Sequence, residues 1–425
     1  MKIVVTGQAA LGQLRPYLDL DEDAEIPMGQ GGVPPIHEIR MLIERGHDVV
    51  LVTLDSKVTK EVILKGDGLT VYVGPCRSQH AIRDLFREER RYLEATIRSI
   101  EPDVVHAHWT YEYALGALDS GSPVVVTIHD APVRILRWNL PQHGNGRLMG
   151  RLARTIHWTI RAFMAWRVAR RSRFNIAVSP HTRDHFIRVL RGRGEVEVIP
   201  NLMNPDLWSD LRPSVPRATQ TTDTTKTADR EFICVAVLGT WGDLKNGKTL
   251  LKAFALVRAS GTNARLLLVG GDFGPQGIAA RWARRHNLAG GVEFVGQLSN
   301  LEVSDLLESA DVLSHPSREE ACGMAIAEAQ LVSTAVIGGS DSGGVSWTLN
   351  YGIAGVLVNI ESAEQIAGAI VALADDPLYC NQIASEGHAL AVRRYEPSTI
   401  STRIEQSLHR CIAASNRPSS SRSDT

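Results

Sequence analysis

Two glutamates and a glycine near the end of the chain have the spacing of a binding site for an elongated anion. Glu320 lies in the stretch SREEACGM, Gly323 follows at the expected start of a helix, and Glu328 lies within that helix. The apolar run before them ends in HPS and predicts a strand. Ligands of open α/β sheets bind at the carboxyl edge, and N–H groups at a helix N-terminus attract phosphate. The pattern therefore predicts an anion-binding site.

The same spacing argues against a hydrolytic pair of carboxylates. Eight residues of helix would separate Glu320 from Glu328 by about 12 Å. The two carboxylates of a glycoside hydrolase lie about 5 to 9.5 Å apart. We therefore expect the two glutamates to bind different parts of one ligand.

Short β-rich apolar runs alternate with helical patterns along the whole chain, which is typical of parallel βαβ units. Strands are expected to begin at Lys2, Asp48, Val71, Asp103, Pro123, Asn175 and Val196, and again at Phe232, Ala264, Val292, Asp311, Thr334 and Ala354. The sequence thus predicts an α/β protein with two Rossmann-like, doubly wound sheets.

The length of 425 residues suggests two or three domains. Residues 1–204 are expected to form an amino-terminal domain and residues 231–395 a carboxyl-terminal domain. Residues 205–230 are rich in Thr, Ser and Pro and are interpreted as a linker. Residues 396–415 are expected to form terminal helices that can cross back to the first domain, and residues 416–425 a disordered tail.

Charge and cysteine content exclude several classes of protein. The 46 basic and 47 acidic residues give a net charge of -1, so no overall field attracts nucleic acid. No run of about 18 uncharged apolar residues could span a bilayer, and no signal segment follows Met1, so we expect a cytoplasmic protein. Five scattered cysteines without a C-x-x-C pair disfavour disulfide and zinc frameworks.

The stretch from Arg134 to Arg173 is the most unusual local composition. It holds ten arginines and no acidic residue, interleaved with aromatic residues such as Trp138, Trp158 and Trp166. Part of it can form an amphipathic helix suited to an anionic membrane surface. The alternative is a helix whose aromatic face packs into the first domain while the arginines are solvated. Nucleic acid is disfavoured as the partner, because no recognised binding module accompanies the stretch.

The glutamate spacing, within PSREEACGMAIAEA, resembles the signature of retaining GT-B glycosyltransferases of group 4, many of which act on bacterial lipids and exopolysaccharides. Other segments match the family in the same order: GGVPPIHEIRMLIERGHDVVLVT (31–53), DVVHAH (103–108), TIHD (127–130), AVSP (177–180), VIPN (198–201), GTWGDLKNGKTLLKAF (239–254), LLLVGGDFGP (266–275), VEFVGQL (292–298) and ADVLSHPS (310–317). The resemblance covers nearly the whole chain to about residue 410 and implies a GT-B fold, with two Rossmann-like domains facing a cleft.

The resemblance also implies roles for individual residues. Glu320 would contact hydroxyl groups of the donor sugar, Lys245 would neutralise the diphosphate, and His129 would lie near the donor sugar and the reacting phosphate. Glu328 would bind the ribose. Donor binding would further involve glycine loops and backbone groups at Gly31, Gly32, Gly239, Cys322, Gly323 and Met324.

Each of these residues has a structural alternative. The glutamates could be partners of a helix dipole, His129 a core histidine, and Lys245 a solvated side chain. His106 and His108 share one face of a strand, but no third metal ligand is evident, and no metal is expected. Three acidic residues, Asp19, Asp21 and Asp23, have a D-x-D spacing like that of a metal site, but their loop position favours a solvated turn.

Two positions depart from the family pattern. Thr240 follows Gly239 where the family has an arginine, and Trp347 lies near the place of a usual glutamate. Half of the diphosphate-binding cation pair is therefore absent. Arg318 and Lys248 are the candidates for supplying the missing charge.

The resemblance implies transfer of a hexosyl group from a nucleotide sugar to a hydroxyl acceptor, with retention and without a metal or cofactor. The donor would bind mainly the second domain and the acceptor the first. A lipid-linked or glycan acceptor at the inner face of a membrane fits the arginine-rich stretch and indicates polysaccharide or glycolipid synthesis. The alternatives are a catalytically silent GT-B protein that binds sugar nucleotide or membrane, and a sugar-nucleotide epimerase.

Overall fold

The computed structural model describes residues 1–21, 23–77, 81–140, 148–204 and 230–416. The chain divides into two compact units. The first contains Met1–Leu136, Leu152–Leu202 and the chain from Pro397 on, and the second contains Arg137–Arg151 and Met203–Glu396. These units differ from the predicted domains at residues 137–151, which group with the second unit. The periodicity of a segment does not indicate which core it approaches.

The first unit is built on an eight-stranded sheet with the order β3-β4-β2-β1-β5-β6-β7-β8. All neighbouring strands are parallel except β3 and β4. The strands are β1 Lys2–Thr6, β2 Asp48–Asp55, β3 Val62–Gly66, β4 Leu69–Pro75, β5 Val104–His108, β6 Val124–Ile128, β7 Phe174–Ala177 and β8 Glu195–Val198. The antiparallel edge strand β3 is not among the predicted strands, because its VILKG sequence has only three consecutive apolar residues and lacks the longer run of a central strand.

Helices cover both faces of this sheet. In the sequence, these helices lie before residue 204 and at the end of the chain. The α-helices are Pro34–Glu44, Arg87–Ile100, Glu112–Ser120, Pro132–Trp138, Leu148–Arg171, Pro180–Asp184 and Pro397–Ser415, with shorter 3-10 helices at Leu11–Tyr17 and Ala81–Asp84 and a π-helix at His185–Val189. The last helix packs against β5, β6 and the helix Pro34–Glu44. Its Ile400, Ile404 and Leu408 are buried there.

The second unit has a six-stranded, fully parallel sheet. The strands are β9 Phe232–Val237, β10 Ala264–Val269, β11 Val292–Gly296, β12 Val312–His315, β13 Ala335–Gly339 and β14 Val356–Val358. Their order in the sheet is β11-β10-β9-β12-β13-β14. The α-helices are Gly247–Ala259, Ile278–Arg285, Asn300–Glu308, Met324–Leu331, Val345–Thr348, Ala363–Asp375 and Pro377–Arg394, with 3-10 turns at Asp243–Lys245, Gly271–Phe273 and Asn350–Gly352. The predicted α/β class with two doubly wound sheets is confirmed.

Strand order fixes where each sheet can bind a ligand. In the first sheet β1 lies between β2 and β5, and in the second β9 lies between β10 and β12. At these places the chain crosses over to opposite sides of the central strand, which opens a crevice at the carboxyl ends. The carboxyl ends of β1 and β5, and those of β9 and β12, are therefore the expected sites.

Among the described residues, no helix is long and apolar enough to cross a membrane. The predicted linker, apart from Arg230, and the predicted tail, apart from Asn416, lie outside the described residues.

Candidate functional site

In the second unit, the loop that follows β9 brings Lys245 to the end of β12. Gly239 begins this loop with a φ of 70°, a conformation that glycine adopts at little cost. The loop ends in the turn Asp243–Lys245, and the backbone N–H of Arg318 donates to the carbonyl of Leu244 at 2.8 Å. The loop after β9 and the loop after β12 are thereby joined at one edge of the sheet.

Glu320 lies within reach of two side chains at this edge. The Nζ atom of Lys245 donates to Oε1 of Glu320 at 2.5 Å, and Nε2 of His315 lies 3.2 Å from the same oxygen. The backbone of Glu320 is fixed as well, because its carbonyl accepts from the N–H of Gly344 at 2.8 Å. Both of these side-chain contacts use Oε1, which leaves Oε2 in a position to accept from a ligand.

The surroundings of Glu320 keep it ionised. Burial by itself raises the pKa of this carboxyl, but the charge of Lys245 and the contact with His315 outweigh burial and hold the pKa well below its usual range. An ionised carboxylate only accepts hydrogen bonds. Glu320 can therefore bind the hydroxyl groups of a sugar.

Gly323 begins the helix Met324–Leu331 with a φ of 70°. Cys322 immediately before it is buried, and its carbonyl accepts from the hydroxyl of Thr348 at 2.6 Å. These contacts fix the direction in which the helix starts. The positive end of its dipole thus begins three residues after Glu320, which contacts Lys245, and it favours an anionic ligand.

Glu328 lies in the second turn of this helix and is partly buried. Burial raises the pKa of its carboxyl from 4.5 to about 7. Glu328 and Glu320 therefore differ in protonation near neutral pH, although they lie only eight positions apart. Within the described residues burial alone shifts this pKa and no charged group contributes, which suits a neutral partner such as a ribose hydroxyl pair.

The structure distinguishes between the two candidates for the missing cation beside the exposed Thr240. Arg318 bonds both carboxylate oxygens of Glu361, at 2.6 and 2.7 Å, and also donates to the carbonyl of Asp243. Lys248 is held more loosely, 3.8 Å from Asp243 and 5.9 Å from the ring centres of two tryptophans. Arg318 is thus committed to structural contacts, and Lys248 is the better candidate.

The other departure, Trp347, has a structural partner. The guanidinium of Arg394 lies 4.0 Å from the centre of the Trp347 ring and also donates to its carbonyl at 2.6 Å. This stacking connects the helix Val345–Thr348 to the long helix Pro377–Arg394. The position near the family glutamate thus carries a packed aromatic ring.

In the first unit, the predicted glycine loop packs closely on the carboxyl end of β1. A Cβ atom on Gly32 would lie 2.1 Å from the carbonyl oxygen of Gln8 and 2.9 Å from the Trp109 ring. Gly31 has a φ of 78°. Trp109 itself has a φ of 62°, which is unusual for a tryptophan and often marks a functional site.

His129 lies in this region of the first unit, at the end of β6. Its ring centre is 4.7 Å from that of Trp109, and its Nε2 is 2.8 Å from Nδ1 of His108. Burial and the neighbouring histidines hold the pKa of His129 well below its usual value. The side chain is therefore a neutral imidazole at the edge where β1, β5 and β6 end.

Behind His129 lies a buried acidic residue that the sequence analysis did not identify. Glu38, on the helix Pro34–Glu44, bonds Nδ1 of His106 at 2.5 Å and lies 3.3 Å from Nε2 of His108. Burial raises the pKa of Glu38, but His106 and His108 outweigh burial and hold it well below its usual range. No sequence signal could have found this contact, because 68 residues separate Glu38 from His106.

His315 and Trp109 are also functional candidates that the sequence analysis missed. His315 ends β12 in the HPS segment, so its place at the carboxyl end of a strand was the available signal. For Trp109 the sequence contains no such signal, because a positive φ at a tryptophan cannot be predicted from the residue type.

The arginine-rich stretch is described over residues 134–140 and 148–173. The helix Leu148–Arg171 buries Met164, Ala165, Val168 and Ala169 in the first unit, and Arg161 forms a buried ion pair with Glu112. Of the aromatic residues, Trp158 packs partly buried against the core of the first unit, whereas Phe163 and Trp166 are 47% and 43% exposed. The helix is thus attached by apolar residues and by ion pairs of Arg161 with Glu112 and of Arg171 with Asp119.

Comparisons with known proteins agree with this architecture. The family described as Glycosyltransferase Family 4 matches residues 36–207, and the family described as Glycosyl transferases group 1 matches residues 229–376. Glycogen synthase of Mycobacterium tuberculosis is 28% identical over 319 residues, which cover 73% of this chain and 69% of that protein. Phosphatidyl-myo-inositol mannosyltransferase of Mycolicibacterium smegmatis is 31% identical over 179 residues, covering 41% of this chain and 44% of that protein.

Solved structures show the same fold at low identity. Sucrose-phosphate synthase from Thermosynechococcus elongatus has a TM-score of 0.73 at 18% identity, covering 97% of this chain and 100% of that one. Anabaena HepE in complex with UDP-glucose has a TM-score of 0.64 at 18% identity, covering 96% and 100%. Since the two family matches together span most of the chain and both sheets have the expected order, this protein belongs to the group 1 glycosyltransferases with the GT-B fold.

Proposed function

We propose that the protein transfers a hexosyl group from a nucleotide sugar to a hydroxyl acceptor with retention at the anomeric carbon. The observation that carries this proposal is the contact between Lys245 and Glu320, 2.5 Å long, at the carboxyl edge of the second sheet. The contact places Lys245, a cation that can bind a diphosphate, beside Glu320, a carboxylate that can accept hydrogen bonds from sugar hydroxyl groups. The complex of HepE with UDP-glucose supports a uridine nucleotide as the first donor to test.

The residues of the second unit would divide the donor between them. Lys245, with the start of the helix at Gly323, stabilises the charge that develops on the leaving diphosphate. Glu320 keeps one oxygen on Lys245 and accepts from the sugar with the other. Glu328 accepts from the ribose. We propose that no metal is needed, because Lys245 and the start of the helix at Gly323 already stabilise the charge of the leaving diphosphate.

The test is release of nucleoside diphosphate from a panel of nucleotide sugars, beginning with UDP-glucose. Glu320→Gln keeps the size of the side chain and removes its charge, so turnover should fall at least about 100-fold. Glu386→Gln, on an exposed position of the same unit, is the control and should leave turnover unchanged. Unchanged release in Glu320→Gln would refute the assignment. NMR of the product must show the anomeric configuration of the donor.

We further propose that the acceptor is lipid-linked or a glycan and that the helix Leu148–Arg171 lies on an anionic membrane. Its exposed apolar residues follow one another at intervals of three, four, seven and three positions, which places them along one face: Met149, Leu152, Ile156, Phe163 and Trp166. The helix contains no acidic residue. Apolar side chains flanked by arginines favour the interface of an anionic bilayer, which supports a role in polysaccharide or glycolipid synthesis at the cytoplasmic face.

Flotation with vesicles tests this second part. The protein should float with vesicles that contain phosphatidylglycerol, and it should stay in the bottom fraction when the vesicles are pure phosphatidylcholine. Replacing both Phe163 and Trp166 by serine should abolish flotation. Ile187→Ser, an exposed apolar residue of another helix, is the matched control. Equal binding of the double variant and the control would contradict the proposal.

A catalytically silent binding protein is the second candidate. It is favoured by Thr240 in place of the usual cation and by the engagement of Arg318 with Glu361. Such a protein would bind a nucleotide sugar without releasing nucleoside diphosphate, even with lipid and glycan acceptors. An isomerised nucleotide sugar in the same assay would indicate an epimerase instead.

A further inference from the structure

Four buried or half-buried side chains of the first unit form a row that the donor contacts proposed in the second unit do not include. Glu38 contacts His106 and His108, and His108 contacts His129 through Nδ1 and Nε2 at 2.8 Å. The side chains of Glu38, His106 and His108 are 4% exposed or less. Only His129 is partly exposed.

The positions of the protons in this row follow from the inventory of donors and acceptors. The carboxylate of Glu38 only accepts, so Nδ1 of His106 carries a proton. Nε2 of His108 faces the other carboxylate oxygen at 3.3 Å and has no other polar partner in the described parts of the chain. The negative charge therefore favours a proton on this nitrogen as well.

A neutral imidazole carries only one proton, and burial lowers the pKa of His108. With its proton on Nε2, His108 presents a lone pair at Nδ1. The atom facing this lone pair is Nε2 of His129, which must then donate. His129 is neutral too, so its own Nδ1 has no proton. Within the described residues, no group bonds that Nδ1 atom.

We infer that Glu38 and His108 are positioning residues that hold His129 in its Nε2–H tautomer, so that Nδ1 accepts a hydrogen bond from a hydroxyl group of the substrate. This inference rests on the proposed function, because a hexosyltransferase would bring a hydroxyl-bearing substrate to the carboxyl edge of the first sheet, where His129 follows β6. Acceptance at Nδ1 orients a sugar or acceptor hydroxyl without transferring its proton. Glu38 acts only through His108.

Glu38, His106 and His108 also have the side chains of a metal site. Their ligating atoms lie within 4.8 Å of one another, and a cavity of about 20 Å³ borders them, enough for one water molecule. The 2.5 Å contact between Glu38 and His106 favours a shared proton, because a metal ion bound to both atoms would hold them farther apart. A bound metal is therefore an outcome that would overturn the inference.

The experiment is NMR of the full chain with 15N-labelled histidine, since nitrogen shifts report which ring nitrogen carries the proton. The His129 signals are identified by their loss in His129→Gln. In the wild type we expect Nε2 protonated and Nδ1 unprotonated near neutral pH. In Glu38→Gln we expect a mixture of tautomers at His129. The wild-type spectrum alone decides the assignment if that variant does not fold.

Kinetics separate positioning from general damage. Glu38→Gln should lower kcat about 10-fold or more, since a histidine in the wrong tautomer loses much of its function. Affinity for UDP should stay within about twofold, because Lys245, Gly323 and Glu328, which are proposed to bind the nucleotide, lie in the second unit. The control is Glu89→Gln, another buried carboxylate of the first unit whose side chain bonds Arg77. It should leave the His129 spectrum unchanged.

Three results would overturn the inference: a proton on Nδ1 of His129 in the wild type, an unchanged tautomer in Glu38→Gln, or a stoichiometric metal in the purified protein by mass spectrometry. Absence of any transferase activity would instead refute the proposed function, while the NMR result would still decide the tautomer.

Discussion

Replacing Glu328 by glutamine should stabilise the protein at alkaline pH and weaken donor binding at the same time. The carboxyl lies partly buried in the helix Met324–Leu331, and burial raises its pKa from 4.5 to about 7. Its ionised form is therefore disfavoured in the folded state. Glutamine has similar size and never ionises, so the variant avoids this cost.

The sign and size of the effect follow from linkage between folding and proton binding. Because the folded pKa is the higher one, the penalty is absent below pH 4.5, grows up to pH 7 and is constant above it. The difference between 4.5 and 7 corresponds to about 3 kcal/mol at most. The side chain is partly exposed, so we take roughly half of that value.

Thermal unfolding at two pH values provides the assay. For a unit of this size, 1 kcal/mol shifts Tm by about 2–4 °C. Glu328→Gln should therefore raise Tm by about 3–6 °C at pH 8 and by no more than about 2 °C at pH 5. Glu386→Gln, at an exposed position, should leave Tm unchanged at both. An equal Tm difference at pH 5 and pH 8 would refute the assignment of the raised pKa.

Donor binding should respond in the opposite direction. An ionised Glu328 accepts more strongly from ribose hydroxyls than a protonated one does. Wild-type affinity for UDP should increase between pH 6 and pH 8, and Glu328→Gln should be weaker by about 10-fold at pH 8. Calorimetric titration measures both. A wild-type affinity that does not vary with pH would show that Glu328 does not contact the nucleotide.

Three further substitutions test separate contacts. Lys245→Ala should let the pKa of Glu320 rise and lower the affinity for UDP at least about 10-fold by calorimetry; unchanged affinity would exclude Lys245 from the diphosphate site. Gly32→Ala should lower Tm and activity, because its Cβ would lie 2.1 Å from a carbonyl oxygen, whereas Gly12→Ala, with open space around it, should do neither. Arg161→Met leaves a buried carboxylate unpaired and should cost about 3–5 kcal/mol in denaturant unfolding; a loss below about 1 kcal/mol would mean that the pair is solvated.

The fold was largely predictable, because central parallel strands are buried on both faces and read as continuous apolar runs. Strands such as β1, β6 and β10 are of this kind. The edge strand β3 was missed, because a strand at the edge of a sheet does not need the continuous apolar run of a central strand. The grouping of residues 137–151 with the second unit was equally hidden.

The candidate site was predictable only in part. The resemblance pointed to Lys245 and Glu320, and the structure brings their side chains into contact. His315, which lies beside the same carboxylate, was not identified. Arg318 was a reasonable substitute for the missing cation, but its bonds to Glu361 depend on a residue 43 positions away.

The alternation of elements, the polar residues at the carboxyl ends of strands and the excess of arginine in one helix can be read from the order of residues, because these are properties of chain neighbours. Which charges pair, which groups are buried and where protons lie depend on contacts between distant parts of the folded chain. Glu320 and Glu328 illustrate the difference: they share a residue type and one short segment, yet their pKa values move in opposite directions. The reason is that electrostatic energies depend on distance and solvent exposure, which no local pattern of residues contains.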